Sequence, residues 1–206
     1  MPSSSWRATD VATALKQKAR VRTNATPQSI CAIQISPVQF TGLWAAYPKE
    51  RDPYRDAQGK VPAAFENQCA IRMSVSLHQV GVTMKSFKGA AVQLGGQRAA
   101  IRAEEFAAWL KLQPFCGLPN KPQAITGPDW QQKIKGKTGI IFFKDYWARD
   151  GEVSHASGDH VDLWNKDRLT PSFASFMRFT VGLRGSTILG FSDLGKAKEI
   201  LFWEIK

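Results

Sequence analysis

The order of helix-like and strand-like segments along the chain constrains its fold more than any other sequence feature. Residues 103–112 place apolar side chains at helical spacing, with acidic residues early and a lysine late, which predicts a helix. Three strand-like segments come later, at residues 138–147, 160–165 and 199–206. Helices first and strands last, with short connections between the strands, predict an α+β fold with N-terminal helices packed on a small antiparallel sheet.

Weaker signals complete this prediction. On helix 103–112 the apolar face would comprise Phe106, Trp109, Leu110 and Leu112. Gly95-Gly96 lacks the spacing of a phosphate-binding loop and follows no obvious strand, so it predicts a flexible loop. Further helices are expected over residues 40–48, 127–136 and 172–183.

Apolar density divides the chain near residue 38. Residues 1–38 contain five basic residues and one acidic residue, and they predict a partly flexible basic extension with one helical piece at 9–20. From Phe40 onward apolar residues are denser, so we place a single domain at 39–206. That length is enough for a sizeable hydrophobic core.

Charge and hydropathy limit the class of protein. The formal net charge of +11 favours a polyanionic environment such as nucleic acid, anionic lipid or a cell-wall polymer. Apolar runs are too short to predict membrane insertion. The N-terminus lacks the apolar segment of a secretory signal peptide, so we expect the protein to stay in the cytoplasm unless another machine exports it.

Cysteine and histidine are sparse and widely spaced. Cys31, Cys69 and Cys116 contain no C-x-x-C pair, and only three histidines are present, so no metal site and no cofactor are predicted. The sequence leaves open whether Cys31 and Cys116 form a disulfide. A nucleophilic thiol fits this composition better than a metal centre does.

Residues 67–81 are ambiguous between strand and helix. Their apolar residues alternate as in a strand, yet the same residues would surround a central buried helix. In the helical reading Asn67 is the candidate N-cap and Gly81 the stop. Cys69 would then lie at the helix N-terminus, where the helix dipole lowers a thiol pKa and backbone N–H groups can bind an oxyanion. The alternative is that Cys69 is a small buried apolar residue.

The strand at 160–165 carries a second group of interest. A period of two places His160, Asp162 and Trp164 on one face and Val161 and Leu163 on the other. A histidine on a rigid strand with a nearby carboxylate can serve as an oriented base. A core histidine satisfied by hydrogen bonds is the alternative.

Four blocks together resemble a known family. N-Q-C-A-I-R-M-S at 67–74, T-G-I-I-F-F-K-D-Y-W at 138–147, G-D-H-V-D-L-W-N at 158–165 and the ending at 197–206 are similar, in this order, to the fourth family of type VI secretion amidase effectors. These bacterial toxins are related to NlpC-type, papain-like peptidoglycan peptidases. The resemblance implies that fold, with Cys69 as nucleophile and His160 as its base.

The resemblance also implies a substrate and partners. The substrate would be the peptide stem of peptidoglycan, cut at the γ-D-glutamyl–meso-diaminopimelate bond in the periplasm of a Gram-negative target cell. Partners would be the type VI secretion machinery and a cognate immunity protein that plugs the active site. No nucleic acid and no membrane insertion are implied.

The remaining site residues are assigned more loosely. The family takes an orienting acid about eleven residues beyond the histidine, where this chain has Pro171, so Asp162 is the candidate third member and Asp167 a substitute. Asn67 and Gln68 are candidate oxyanion donors, and Trp44 and Trp164 are candidate substrate platforms.

Two other classes of function stay open at this point. One is a non-catalytic basic module that binds an anionic polymer such as nucleic acid, whose affinity would fall steeply with salt. The other is an interaction protein in which the cysteine is inert.

Overall fold

The computed structural model describes residues 17–22, 30–35, 37–65, 67–147, 158–171 and 194–206, and its contacts divide the chain into the units Met1–Pro37 and Val38–Lys206. In the first unit, strands β1 (Gln17–Arg22) and β2 (Ile30–Ile35) pair antiparallel. The helix predicted over 9–20 is therefore wrong for residues 17–20, because a partner strand that local sequence does not reveal pairs with this backbone. The rest of that prediction lies outside the described residues.

The described part of the second unit holds helices and strands from residue 40 to residue 204, some predicted from the sequence and some not. In chain order these elements are α1 Phe40–Ala46, α2 Cys69–Gln79, β3 Ala91–Leu94, β4 Gln97–Ala100, α3 Ala103–Leu110, β5 Gln123–Ala124, α4 Trp130–Lys133, β6 Thr138–Trp147, β7 Gly158–Asn165, β8 Arg168–Leu169 and β9 Glu199–Glu204.

A five-stranded antiparallel sheet forms the second half of the unit. Its strand order is β5-β9-β6-β7-β8, which makes β6 the central strand. The register sets Ile141 opposite Asp162 and Phe143 opposite His160. The predicted strands at 138–147, 160–165 and 199–206 are thus confirmed, and all three are neighbours in one sheet.

The two faces of the sheet bury different cores. Ile140 and Phe142 of β6 face the layer that contains α1, α2 and α3. Ile141 and Phe143 face the opposite way, into a cluster with Trp130 of α4 and residues of β9. The alternation of β6 therefore supplies both cores, as expected for a strand covered on both faces.

The segment at residues 67–81, which the sequence left ambiguous between strand and helix, forms helix α2. Helix α2 begins at Cys69 with Gln68 as its N-cap, so the prediction of Asn67 as the cap is wrong by one residue. Gly81 ends the helix with φ of 85°, and the N–H of Val82 bonds the carbonyl of Leu77 at 2.9 Å, a Schellman-type closure. Nearly every residue of α2 is buried, which explains why its sequence shows no clean amphipathic period.

Gly95-Gly96 is a hairpin turn. Strands β3 and β4 pair antiparallel with Leu94 opposite Gln97, and the two glycines between them have φ of 58° and 77°. Two consecutive positive φ values suit a primed two-residue turn, in which glycine carries no steric penalty. The predicted flexible loop and the absence of a preceding strand were wrong, because β3 is too short to give a periodic signal.

Smaller differences concern helix ends. Helix α3 stops at Leu110, so Leu112 leaves the predicted apolar face and is 76% exposed. The helix expected over 127–136 is limited to Trp130–Lys133, and the one expected over 172–183 lies outside the described residues. Among the helices described, none is long and apolar enough to traverse a lipid bilayer.

Candidate active site

Helix α2 and strand β7 bring the predicted cysteine and histidine together. Cys69 is the first residue of α2 and is 6% exposed. The His160 side chain and the backbone of Val161 lie close enough to its thiol to lower the thiol pKa. The first turn of an α-helix has N–H groups without intrahelical acceptors, so the sulfur lies at the positive end of a buried helix.

Asp162 lies on the other side of the imidazole. The two side chains are fully buried, and Nε2 of His160 is 3.6 Å from Oδ2 of Asp162. Oδ1 of the same carboxylate accepts hydrogen bonds from the Leu163 N–H at 2.8 Å and from the Thr170 hydroxyl at 2.7 Å. These two bonds orient the carboxylate so that its second oxygen faces the histidine.

Electrostatics at the pair favour charge separation. Burial acts to raise the pKa of the Cys69 thiol, but the hydrogen bond and charge of His160, helped by Val161 and Arg72, outweigh burial and lower that pKa. Burial likewise acts to lower the pKa of His160, yet Asp162 and Cys69 raise it to about 9. Opposite shifts in the two groups favour a thiolate beside an imidazolium.

Aromatic rings enclose the imidazole on the side of the second core. The Phe143 ring stacks near it with centroids 6.5 Å apart, and the Tyr146 ring meets it edge-on at 6.4 Å. Tyr146 follows a break in the β6–β7 register at which Asp145 has φ of 49° and donates its N–H to the Asp159 carboxylate at 3.0 Å. Such a bulge turns the next side chain toward the site.

The two predicted oxyanion donors differ in their surroundings. The Gln68 carboxamide accepts from the Tyr54 N–H and donates to the Tyr54 carbonyl, both at 2.8 Å, so it ties the loop after α1 to the start of α2. Asn67 is half-buried, and its buried amide oxygen has no hydrogen-bond partner among the described residues. The Gln68 carboxamide is thus engaged in structure, while Asn67 has a spare acceptor rather than a spare donor.

The tryptophan predictions separate in the same way. Trp44 is half-buried on α1 beside Phe40. Trp164 is only 1% exposed, packs against Trp130 and donates its indole N–H to the Ile134 carbonyl at 3.0 Å. The prediction of Trp164 as a substrate platform is therefore wrong, because α4 and its neighbours cover that face of the sheet.

Two residues that contact this group were missed from the sequence. Arg72 is buried on α2 one turn after Cys69, and Thr170 holds Asp162. A charged residue inside the apolar run of α2 was a usable signal for Arg72. Nothing in the local sequence marks Thr170, because its role depends on β7 and β8 being neighbours.

Within the described ranges, no set of three or more histidine, cysteine, aspartate and glutamate side chains is arranged to hold a metal ion. Cys69 and Cys116 both carry free thiols.

Helices packed on one face of a small antiparallel sheet, with the cysteine of a buried helix against a histidine of the sheet, define the papain-like class to which NlpC-type hydrolases belong. Residues 65–203 match the family model described as type VI secretion system (T6SS) amidase effector protein 4, or Tae4. The match spans about two thirds of the chain, so the chain belongs to this family.

Solved structures of Tae4 proteins share the fold. The effector in a Tae4–Tai4 effector–immunity structure from Salmonella typhimurium is 20% identical, covers 82% of this chain and 98% of its own length, and has a TM-score of 0.55. The effector Tae4 from Enterobacter cloacae is 20% identical over 82% of this chain and 96% of that one, with a TM-score of 0.51. No protein with a curated description matches the chain.

These comparisons confirm the predicted fold class and the predicted family. The chain is an amidase, and as an effector of this family it is secreted by the type VI system. A non-catalytic binding module, the alternative retained from the sequence, is therefore set aside.

Proposed function

We propose that this amidase hydrolyses the γ-D-glutamyl–meso-diaminopimelate bond of peptidoglycan stem peptides, with Cys69 as nucleophile and His160 as acid and base. The observation that carries the proposal is the placement of buried Cys69, the first residue of α2, beside buried His160 of β7, where each shifts the pKa of the other. A thiolate is the reactive form of cysteine, and a histidine partner at a helix N-terminus produces it near neutral pH.

Asp162 is the third member of the proposed site. Its Oδ2 faces Nε2 of His160, which leaves Nδ1 as the ring nitrogen for the thiol. The separation of 3.6 Å exceeds a hydrogen bond, as is common in sites without substrate. Pro171 stands where the family has its orienting acid, and the neighbouring Thr170 instead holds Asp162 in place.

The chemical steps need no group beyond these residues and water. The Cys69 thiolate attacks the amide carbonyl carbon, and the tetrahedral oxyanion collapses as the C–N bond breaks and the imidazolium of His160 protonates the leaving amine. Water, deprotonated by the neutral imidazole, then attacks the thioester. The products are the γ-carboxylate of D-glutamate and the free amine of diaminopimelate, and the thiolate–imidazolium pair is restored.

Backbone at the start of α2 supplies the proposed oxyanion site. The N–H of Cys69 lies in the first turn, where no intrahelical acceptor is available. A donor of this kind is typically worth about 2.7–4 kcal/mol to the transition state. Asn67 is the better second group, because the Gln68 carboxamide is bonded to Tyr54. The unpaired amide oxygen of Asn67 would accept an N–H of the stem peptide, and the half-buried Trp44 would offer an apolar wall.

Partners and location follow from the relatives. Tae4 proteins have been solved in complex with the immunity protein Tai4, and we propose that a cognate immunity protein blocks this site in the producing cell. Delivery by type VI secretion would bring the enzyme to the periplasm of a Gram-negative target. The net charge of +11 suits the anionic cell wall there.

The test compares Cys69→Ala with the matched control Cys116→Ala, which removes the other described thiol. Purified proteins are incubated with peptidoglycan, and the muropeptides are identified by mass spectrometry. We expect the control to release fragments that end at γ-D-glutamate, and Cys69→Ala to release none while keeping its thermal melting profile. Wild-type turnover by folded Cys69→Ala would refute the nucleophile, and a different fragment mass would refute the proposed bond.

Localisation is tested by expression with and without a periplasmic leader. Lysis is expected only from the periplasm and only with Cys69 present. Toxicity from the cytoplasm that survives Cys69→Ala would contradict cell-wall hydrolysis.

A further inference from the structure

Arg72 is a buried charge one helical turn away from the proposed nucleophile. It is the third residue after Cys69 on α2 and is 3% exposed. Residues three apart on a helix lie on the same side, with Cβ atoms about 5–6 Å apart. The two side chains therefore leave α2 on the same side, and the charge of Arg72 acts on the Cys69 thiol.

In the described residues, a phenol oxygen and a backbone carbonyl accept hydrogen bonds from Arg72. Its Nε donates to the Tyr47 hydroxyl at 3.3 Å and its Nη1 to the backbone carbonyl of Arg51 at 2.7 Å. In the part of the chain that the structure describes, no carboxylate lies within ion-pair distance of this guanidinium. A buried guanidinium usually has an anionic partner, so the positive charge here is left for another group.

The only group on α2 that can supply a negative charge to it is Cys69. The other titratable groups facing this region are Tyr47 at the end of α1, His160 and Asp162 of β7, and Tyr146 of β6. Asp162 also acts on Arg72 through its charge, but its Oδ1 accepts from Thr170 and the Leu163 N–H and its Oδ2 faces His160. Tyr47 meets Arg72 through its phenol oxygen, which accepts the Nε hydrogen bond.

We propose that Arg72 is a positioning residue whose fixed positive charge, held by Tyr47 and the Arg51 carbonyl, keeps Cys69 in its anionic form. This inference rests on the proposed role of Cys69 as nucleophile. It gives the loop after α1 a catalytic purpose, since the backbone of that loop holds the charge in place.

The mutual effect of the two groups agrees with this role. Burial acts to lower the pKa of the Arg72 guanidinium, while Tyr47, Cys69 and Asp162 together raise it. In the other direction, the charge of Arg72 helps to lower the pKa of Cys69. Two buried charges are screened less by water and salt than two exposed ones. Loss of the Arg72 charge should therefore change the pKa of the Cys69 thiol measurably.

The experiment measures the ionisation of Cys69 in neutral and charged variants. Arg72→Gln and Arg72→Met remove the charge, and Arg72→Lys keeps it. Alkylation of Cys69 by iodoacetamide is followed from pH 4 to pH 10 and resolved by peptide mass spectrometry, alongside kcat/KM on peptidoglycan fragments. Ser76→Ala is the structural control, because it breaks another buried link between α2 and α1, the 2.8 Å bond to the Leu43 carbonyl.

We expect both neutral variants to move the midpoint of alkylation upward by about one pH unit, and the acidic limb of kcat/KM with it. Arg72→Lys keeps the charge, so its alkylation midpoint should stay close to that of the wild type. Ser76→Ala should lower the melting temperature without moving either the alkylation profile or the kcat/KM profile. If folded Arg72→Gln or Arg72→Met has the wild-type midpoint, Arg72 is only a structural tie and the proposal fails.

Failure of the proposed function would look different. If Cys69 is not the nucleophile, Cys69→Ala retains activity whatever the alkylation profiles show. If Cys69 is the nucleophile and Arg72 has no electrostatic role, Cys69→Ala is inactive and the neutral Arg72 variants keep the wild-type profile.

Discussion

Replacement of Asp162 by asparagine tests how the imidazole is held. The substitution is nearly isosteric, and the new amide oxygen can still accept from the Leu163 N–H and the Thr170 hydroxyl. The amide nitrogen would then face Nε2 of His160 in place of Oδ2. Two N–H donors would then face each other, the side-chain amide and Nε2 of His160. The protonated imidazole would therefore lose its carboxylate partner, while the packing around residue 162 is kept.

The size of the effect follows from the histidine. The pKa of His160 is raised from 6.5 to about 9, which corresponds to about 3 kcal/mol in favour of the imidazolium. Asp162 and Cys69 share that effect, so we assign about half, or roughly 20-fold, to the carboxylate. We expect kcat/KM near neutral pH to fall about 10- to 100-fold, and the alkaline limb of its profile to move to lower pH.

The assay is muropeptide release from pH 5 to pH 10, with circular dichroism to confirm folding. Asp167→Asn is the matched control, since Asp167 is exposed in the turn after β7 and was the substitute candidate for the third member. If Asp162→Asn stays within about twofold of wild type while Asp167→Asn loses activity, the reasoning about the third member is refuted.

Three further outcomes are expected. Thr170→Val should reduce activity severalfold and destabilise the fold by about 1–3 kcal/mol in urea titrations, because Asp162 loses an accepted bond, whereas Thr170→Ser should behave as wild type. Trp164→Phe should lower the melting temperature, because the indole bond to Ile134 is lost, and leave KM unchanged; a raised KM would restore Trp164 as a substrate platform. The pKa of His160 is raised to about 9 in the folded protein, so its contribution to stability is present below pH 6.5 and lost as the pH rises through 9. The loss of unfolding free energy caused by His160→Gln should therefore be largest at pH 6 and smallest at pH 9.5. An equal loss at both pH values would contradict the raised pKa.

The strands of the large sheet could be predicted because their side chains alternate between two buried cores, which gives the sequence a period of two. Val161 and Leu163 face the helical layer and Trp164 the opposite core, as alternation predicts. Helix α2 could not be predicted by period, since it is buried on nearly all sides. Hairpin β3–β4 was missed because each strand is only four residues long.

Site residues divide along the same line. The pattern of residues 67–74 and 158–165, read through the family resemblance, identified Cys69, His160 and Asp162 as candidates. Three interactions join segments that are distant in sequence. They are the hydrogen bonds from Thr170 to Asp162, from Gln68 to Tyr54 and from Arg72 to Tyr47. Local sequence carries no signal for such contacts.

By itself the sequence determined the α+β order, the common face of His160 and Asp162, and the family through its motifs. Only the tertiary structure decided that residues 69–79 are a helix, that Trp164 is sealed behind α4, and that the cysteine meets the histidine. The physical reason is that periodicity records which side of an element is buried, whereas a reactive pair depends on where two distant elements pack against each other.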